Sequence, residues 1–334
     1  MTIVNNTSCA SPFSTQWFND IEQLWSKGTF SYFHAFDGIK IQYAAFTSDI
    51  TKPCIVISPG RVEGYLKYKE LAFDLIQQGY QVFIIDHRGQ GLSDRLLDNR
   101  YQGYVEQFDD YADDLHQFIT QIVKPYCGQH KPLLLAHSMG GAIAIRLLQK
   151  YPNTTAVSVL CSPMIAINTG LIPRSSAKCI VSGIQILNQL LSQKPWYFLG
   201  QKDHQPFAFH NNKLSHSYQR HQTFATLYRQ CPPLQLGGVT NHWLLQAFKT
   251  EQVIFDQIEK ITSPILVIQA GNDEVVSNDA QTNFCHHLHE INPTIFRQAQ
   301  PTIIAGAKHE LFFECDVYRR PALNTILNWF KEYQ

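Results

Sequence analysis

Little of this sequence is charged. Acidic and basic residues together make up 16% of its 334 positions and cancel to a formal charge of zero. Total charge therefore selects no partner, and no nucleic acid is expected. No apolar run approaches the ~18 residues of a membrane-spanning helix. Met1 to Phe13 lacks a basic segment followed by an apolar one, so no secretory signal is expected and the cytoplasm is the expected compartment. Eight cysteines are present, yet none forms a Cys-x-x-Cys pair or a regular spacing, and several lie in apolar strand or helix patterns. Reduced, buried thiols are expected rather than a disulfide framework or a zinc site. There is no internal repeat, low-complexity segment, Pro/Gly linker or phosphate-cradling G-x-x-x-x-G-K-[ST] run. No metal or other cofactor is expected.

What is present is apolar bulk, 44% of a chain long enough to bury a large core. Phe30 to Phe36 and Ile39 to Phe46 alternate around Asp37-Gly38, a hairpin signal. Strands and helices then alternate. Cys54 to Ser58, Gln81 to Asp86, Leu133 to His137, Ala156 to Cys161, Ile265 to Ala270 and Thr302 to Ala305 read as buried, parallel-type strands. Helices are expected over Tyr65 to Gln78, Gln107 to Val123 and Ala322 to Tyr333. The pattern predicts an α/β fold, a mostly parallel sheet with helices on both faces. Between Pro163 and Ala247 the alternation stops. Helical stretches at Cys179 to Leu191 and Ser215 to Tyr228 flank the aromatic loop Trp196-Tyr197-Phe198. The expected division is an N-terminal extension (1–28), a core (29–162 and 248–334) and a helical cap inserted at 163–247.

The most informative run is Leu133-Leu134-Leu135-Ala136-His137-Ser138-Met139-Gly140-Gly141. An apolar strand ends at a serine flanked by small residues two positions either side, and a helix-compatible stretch follows. This is the context of a nucleophile elbow, G-x-S-x-G, with Ala136 in place of the first glycine. A serine hydroxyl needs a histidine to take its proton and a carboxylate to orient that histidine. His309 follows the last strand and Asp273 the strand before it, both in post-strand loops and in the chain order this fold uses. Glu274 is the nearest rival for the acid and Glu310 a weaker one. His286, His287 and His289 are expected on a solvated helix face. An oxyanion hole needs backbone N–H groups, for which Met139 and, from the loop Ser58 to Gly64, Arg61 are the candidates.

The runs SPGRVEGYLKY (58–68), DHRGQGLSD (86–94), LLLAHSMGGAIA (133–144), the 271–276 loop and AGAKHELFFE (305–314) resemble α/β-hydrolases of the monoacylglycerol-lipase-like branch. Within that branch the chain is similar to the bacterial lysophospholipases associated with the inner membrane. The similarity continues through LSHSYQR (214–220) and GGVTNHW (237–243). The resemblance implies a triad of Ser138, Asp273 and His309 that hydrolyses the acyl ester of a lysophospholipid or other monoacyl lipid, with acyl transfer as a companion activity. A monoacylglycerol lipase or general carboxylesterase would use the same three residues. An aminopeptidase on this scaffold would need acidic residues in the cap, and a non-enzymatic lipid-binding protein would not need the triad.

Within 163–247 seven basic residues stand against Asp203 alone, and the rest of the chain carries the compensating negative charge. A basic, aromatic cap suits phosphate headgroups and an anionic membrane surface. The expected substrate contacts are Trp196, Tyr197, Phe198, Arg220, His242 and Trp243, and the expected attachment is peripheral, at the inner membrane.

Overall fold

The computed structural model describes residues 13–170, 172–206 and 208–333. Eight strands form one sheet in the order β1-β2-β4-β3-β5-β6-β7-β8. They are β1 (Thr29–His34), β2 (Lys40–Phe46), β3 (Cys54–Ser58), β4 (Gln81–Ile85), β5 (Leu133–His137), β6 (Ser158–Cys161), β7 (Ile265–Ala270) and β8 (Thr302–Ile304). β1 and β2 form the antiparallel hairpin about Gly38, whose φ of +85° suits glycine. From β4 onward every pairing is parallel.

The parallel strands are apolar on both sides because both faces are covered. Val56, Phe83, Leu134 and Leu160 join one core with α3 (Asp109–Phe118), α4 (Met139–Lys150) and α8 (Asn278–Ile291). Their neighbours Ile55, Val82, Leu135 and Val159 join the other, with α2 (Lys69–Gln77) and α9 (Asp316–Lys331). His286 and His287 lie on the exposed face of α8, and His289 is half-buried there. The cysteines among the described residues are all unpaired, with Cys54, Cys127, Cys161 and Cys285 buried. Cys9 lies outside the described residues.

Several boundaries differ from expectation, three of them with consequences for the fold. The N-terminal extension contains α1 (Thr15–Trp25), capped by the Ser14 hydroxyl. α1 is integral to the fold: Trp17 and Ile21 pack on Phe73 of α2, and Trp25 on Phe46. α9 begins at Asp316 with Pro321 inside it. Between β6 and β7 come α5 (Arg174–Leu191), α6 (Tyr218–Gln230) and α7 (Asn241–Asp256). The division expected after Ala247 falls inside α7, since Trp243, Ala247 and Ile254 bury one continuous stripe into the core. Its first turn bonds to α5 through Asn241, and near its end the Ile254 carbonyl accepts from Gln149 of α4.

The amphipathic pattern of α5 is turned outward. Val181, Gln185 and Asn188 are its buried residues, while Ile180, Ile186, Leu187, Leu190 and Leu191 are exposed. The inward polar groups are satisfied. Asn188 donates to Lys194 O and accepts from Trp196 N–H, and Gln185 Oε1 accepts from Asn241. Among the described residues no helix is long and apolar enough to cross a membrane.

Candidate active site

β5 runs directly into α4, so the chain must reverse within one residue. Ser138 takes that turn at φ 53° and ψ −120°, a conformation that L side chains rarely adopt. Its amide donates to Cys161 O at 3.1 Å, and its carbonyl accepts from Gly141 and Met164, both at 2.8 Å. Ala136 pairs in register with Ser58 and is fully buried, so the strand accommodates its methyl group.

The loops after β7 and β8 bring the other two side chains to this turn. His309 Nε2 lies 2.8 Å from Ser138 Oγ, and His309 Nδ1 lies 2.7 Å from Asp273 Oδ2. The second Asp273 oxygen accepts the amides of Val275 and Val276 at 2.8 and 3.1 Å. Burial by itself would raise the Asp273 carboxyl; the bond from His309 and the two amides outweigh it and hold the group below its ordinary value. An ionised Asp273 fixes the Nδ1–H tautomer and leaves Nε2 free to accept the serine proton. The rival acids are engaged elsewhere. Glu274 is exposed and pairs with Lys213 at 2.8 Å, and Glu310 pairs with Lys67 at 2.6 Å.

In the loop after β3, Gly60 N–H donates to Glu63 Oε2 at 2.6 Å. Among the described residues the amides of Arg61 and Met139 donate to no protein acceptor. Two free N–H groups beside the elbow can serve an oxyanion. Val62, β-branched yet at φ 64°, marks the same loop as strained, and the Tyr228 hydroxyl donates to its carbonyl.

Sequence reasoning missed a buried network behind the histidine. Glu63 accepts from Gly60, Tyr68 and Lys67, and Lys67 bridges on to Glu310. Burial opposes ionisation of Glu63, but Lys67 and His137 hold it down to about 2. The His137 ring lies 5.0 Å from that of His309. His137 donates from Nδ1 to Cys161 O at 3.2 Å, and burial depresses its pKa to about 4. The i, i+4 spacing of Glu63 and Lys67 is the one signal the sequence offered.

The expected substrate contacts divide. Arg220 is a correction: it is buried and clamped by Glu70 at 2.6 Å and Asp316 at 2.8 Å, with Phe13 over its guanidinium. It ties α6 to α2 and α9 because a buried cation needs carboxylates, and those helices supply them. Trp243 is buried, its indole N–H 3.3 Å from the Tyr111 hydroxyl, and its ring lies under the guanidinium of Arg61. His242 stacks on Tyr104 and donates to Glu106 O. Trp196, Tyr197 and Phe198 are half-buried; the Tyr197 hydroxyl bonds Asp203, and Phe198 packs against the core. Asp86-His87-Arg88-Gly89-Gln90-Gly91 is scaffold: Asp86 caps the amides of Tyr65 and Leu92, and Arg88 forks onto Asp114.

A strained serine after a central parallel strand, with histidine and aspartate from later strand ends, defines a serine hydrolase of the α/β-hydrolase fold. The chain belongs to the Hydrolase_4 family, described as serine aminopeptidase, S33, which it matches over residues 49–316. It is 33% identical to lysophospholipase L2 of Escherichia coli K12 over 96% of this chain and 93% of that one. Monoglyceride lipase of Rattus norvegicus is 27% identical over 84% of this chain and 83% of its own. A solved monoacylglycerol lipase from Paleococcus ferrophilus superposes with a TM-score of 0.66 at 18% identity, covering 88% of this chain and 99% of its own. That likeness speaks for the fold.

Proposed function

We propose that the protein is a lysophospholipase that works through an acyl-enzyme on Ser138. The observation that carries this reading is the unbroken hydrogen-bonded chain from Asp273 through His309 to Ser138. In the first half-reaction Ser138 Oγ attacks the ester carbonyl as its proton passes to His309 Nε2. The oxyanion is held by the amides of Met139 and Arg61, and His309 returns the proton to the departing glycerol oxygen. Water, activated by the same histidine, then frees the fatty acid. A glycerol headgroup in place of water would give acyl transfer.

The choice of lysophospholipid rests on the 33% identical relative, matched over nearly both full lengths. On this reading the 163–247 segment is the cap. Its outward apolar α5, beside the basic Lys178 and Lys194, suits peripheral contact with an anionic inner-membrane surface from the cytoplasmic side. A monoacylglycerol lipase would use the same triad. Peptide cleavage at a free amino terminus is poorly supported: Asp203, the one acid of that segment, is held by Asn99 and Tyr197. Lysophospholipids, monoacylglycerols and p-nitrophenyl esters assayed side by side test the reading. Lysophospholipids are expected to give the highest kcat/KM. Turnover of monoacylglycerols without turnover of lysophospholipids would overturn it.

A further inference from the structure

Buried arginines in this fold come with carboxylates: Arg88 with Asp114, Arg146 with Asp109, Arg220 with Glu70 and Arg319 with Asp74. The half-buried Arg61, Arg95 and Arg100 have none among the described residues; Arg95 and Arg100 donate to backbone carbonyls away from the triad, and Arg61 stands beside the elbow. Among the described residues no carboxylate lies within ion-pairing distance of its guanidinium. Nη2 donates to the carbonyl of Gly237, the Trp243 ring lies 5.6 Å below, and Nε is buried with no acceptor at all. Burial lowers its pKa to about 10, so the group is still a cation at neutral pH. A half-buried cation with one buried donor unused and no counter-ion is left unanswered until something anionic arrives to meet it.

Its place in the fold says what arrives. Arg61 sits at the carboxyl end of β3, beside the strand that carries Ser138 and across from Gly237 and Trp243 of the inserted segment. Gly103 leaves the guanidinium its room: a β-carbon there would stand 2.8 Å from Nη2. We propose that the Arg61 side chain is the subsite for the substrate's phosphodiester, so that one residue meets both charges of the reaction, its amide the oxyanion and its guanidinium the phosphate. This rests on the lysophospholipase reading and deepens it. Covalent geometry fits. The backbone nitrogen and guanidinium carbon of an arginine are separated by as many bonds as the ester carbonyl carbon and the phosphorus of a 1-acyl lysophospholipid. The planar fork of donors matches a phosphodiester, and a neutral glycerol headgroup would leave the charge unanswered.

The test is the ratio of kcat/KM for a lysophospholipid to that for the monoacylglycerol of the same acyl chain. It is measured in the wild type, Arg61→Met and Arg61→Lys, with fluorophosphonate labelling of Ser138 to show that each is folded. Arg61→Met is expected to lower the ratio on the order of 10–100-fold, and Arg61→Lys by less, because it keeps the charge and loses the fork. Independently, glycerophosphocholine should inhibit wild-type hydrolysis of a neutral p-nitrophenyl ester, more strongly than inorganic phosphate does. An unchanged ratio in Arg61→Met, with a wild type that prefers lysophospholipid, would overturn the subsite while leaving the function intact. Inorganic phosphate inhibiting as well as the diester would make it a free-phosphate site and overturn the headgroup assignment. No inhibition by the diester in the wild type would do the same without any variant. A wild type that turns over monoacylglycerol and no lysophospholipid would instead defeat the functional reading.

Discussion

A β-carbon on Gly140 would stand 2.1 Å from the carbonyl oxygen of Ser58 and 2.5 Å from that of Pro59. The first turn of α4 is thus pressed against the backbone of β3, and that contact sets the elbow's height over the sheet. Gly140→Ala is expected to abolish folded, labelled enzyme, because backbone cannot move aside as a side chain can. Ala136→Gly should cost only about 0.5–1 kcal/mol of stability and keep labelling. Thermal unfolding and fluorophosphonate labelling of both variants check the pair; a well-folded, reactive Gly140→Ala would contradict the packing account.

The oxyanion assignment makes a prediction about backbone rather than side chain. On a short neutral ester, where no phosphate is involved, Arg61→Pro should fall below Arg61→Ala by roughly 10²–10³ in kcat, the effect of deleting one donor. Steady-state kinetics on the two folded variants decide it. Equal rates would place the second donor elsewhere.

Two sets of changes in the inserted segment should separate stability from membrane contact. Arg220→Met leaves Glu70 with Arg319 at 3.5 Å and Asp316 with Arg320 at 3.0 Å, so it should cost on the order of 2 kcal/mol, less than stripping a buried carboxylate of its last partner. Leu187→Glu, Leu190→Glu and Leu191→Glu together should leave the melting temperature nearly unchanged, since those side chains are already exposed. The same triple change should weaken sedimentation with anionic vesicles by at least about tenfold. Vesicle binding that is indifferent to the triple change would detach α5 from the membrane.

His137 gives a pH prediction. Its folded pKa is depressed to about 4 by burial, against 6.5 when unfolded. The unfolded chain therefore binds the proton first as pH falls. The stability that neutral His137 contributes is fully present above pH 6.5 and is lost between 6.5 and about 4. In that window wild type should lose up to about 1.4 kcal/mol per pH unit more than His137→Asn, a difference in which the titrations of groups away from Glu63 and His309 cancel. Urea unfolding at several pH values measures it, and parallel curves for the two proteins would show that His137 is not buried neutral.

The sheet and the three side chains of the triad were legible because strand ends, small residues and chain order can be read along the chain. Chain order pointed to the loop of Asp273 and Glu274 without separating them; the deciding fact is a loop geometry that turns one carboxylate toward His309 and the other to Lys213. Arg220 was misread because a basic residue in a basic segment resembles a headgroup contact, and its partners Glu70 and Asp316 are distant in sequence. α5 looked amphipathic, but which side faced inward depended on Gln185 and Asn188 finding backbone and side-chain partners that no periodicity encodes. α7 was invisible as one helix because its two ends serve different parts of the fold.

The central claim is an acyl-enzyme on Ser138. Brief mixing of the protein with a lysophospholipid, acid quench and peptide mass mapping test it directly. The account predicts a fatty-acyl mass on the peptide containing Ser138 in the wild type, none in Ser138→Ala, and a loss of kcat on the order of 10⁶ in that variant. Near-normal turnover of the lysophospholipid by Ser138→Ala, or an acyl group carried on a different residue, would contradict it.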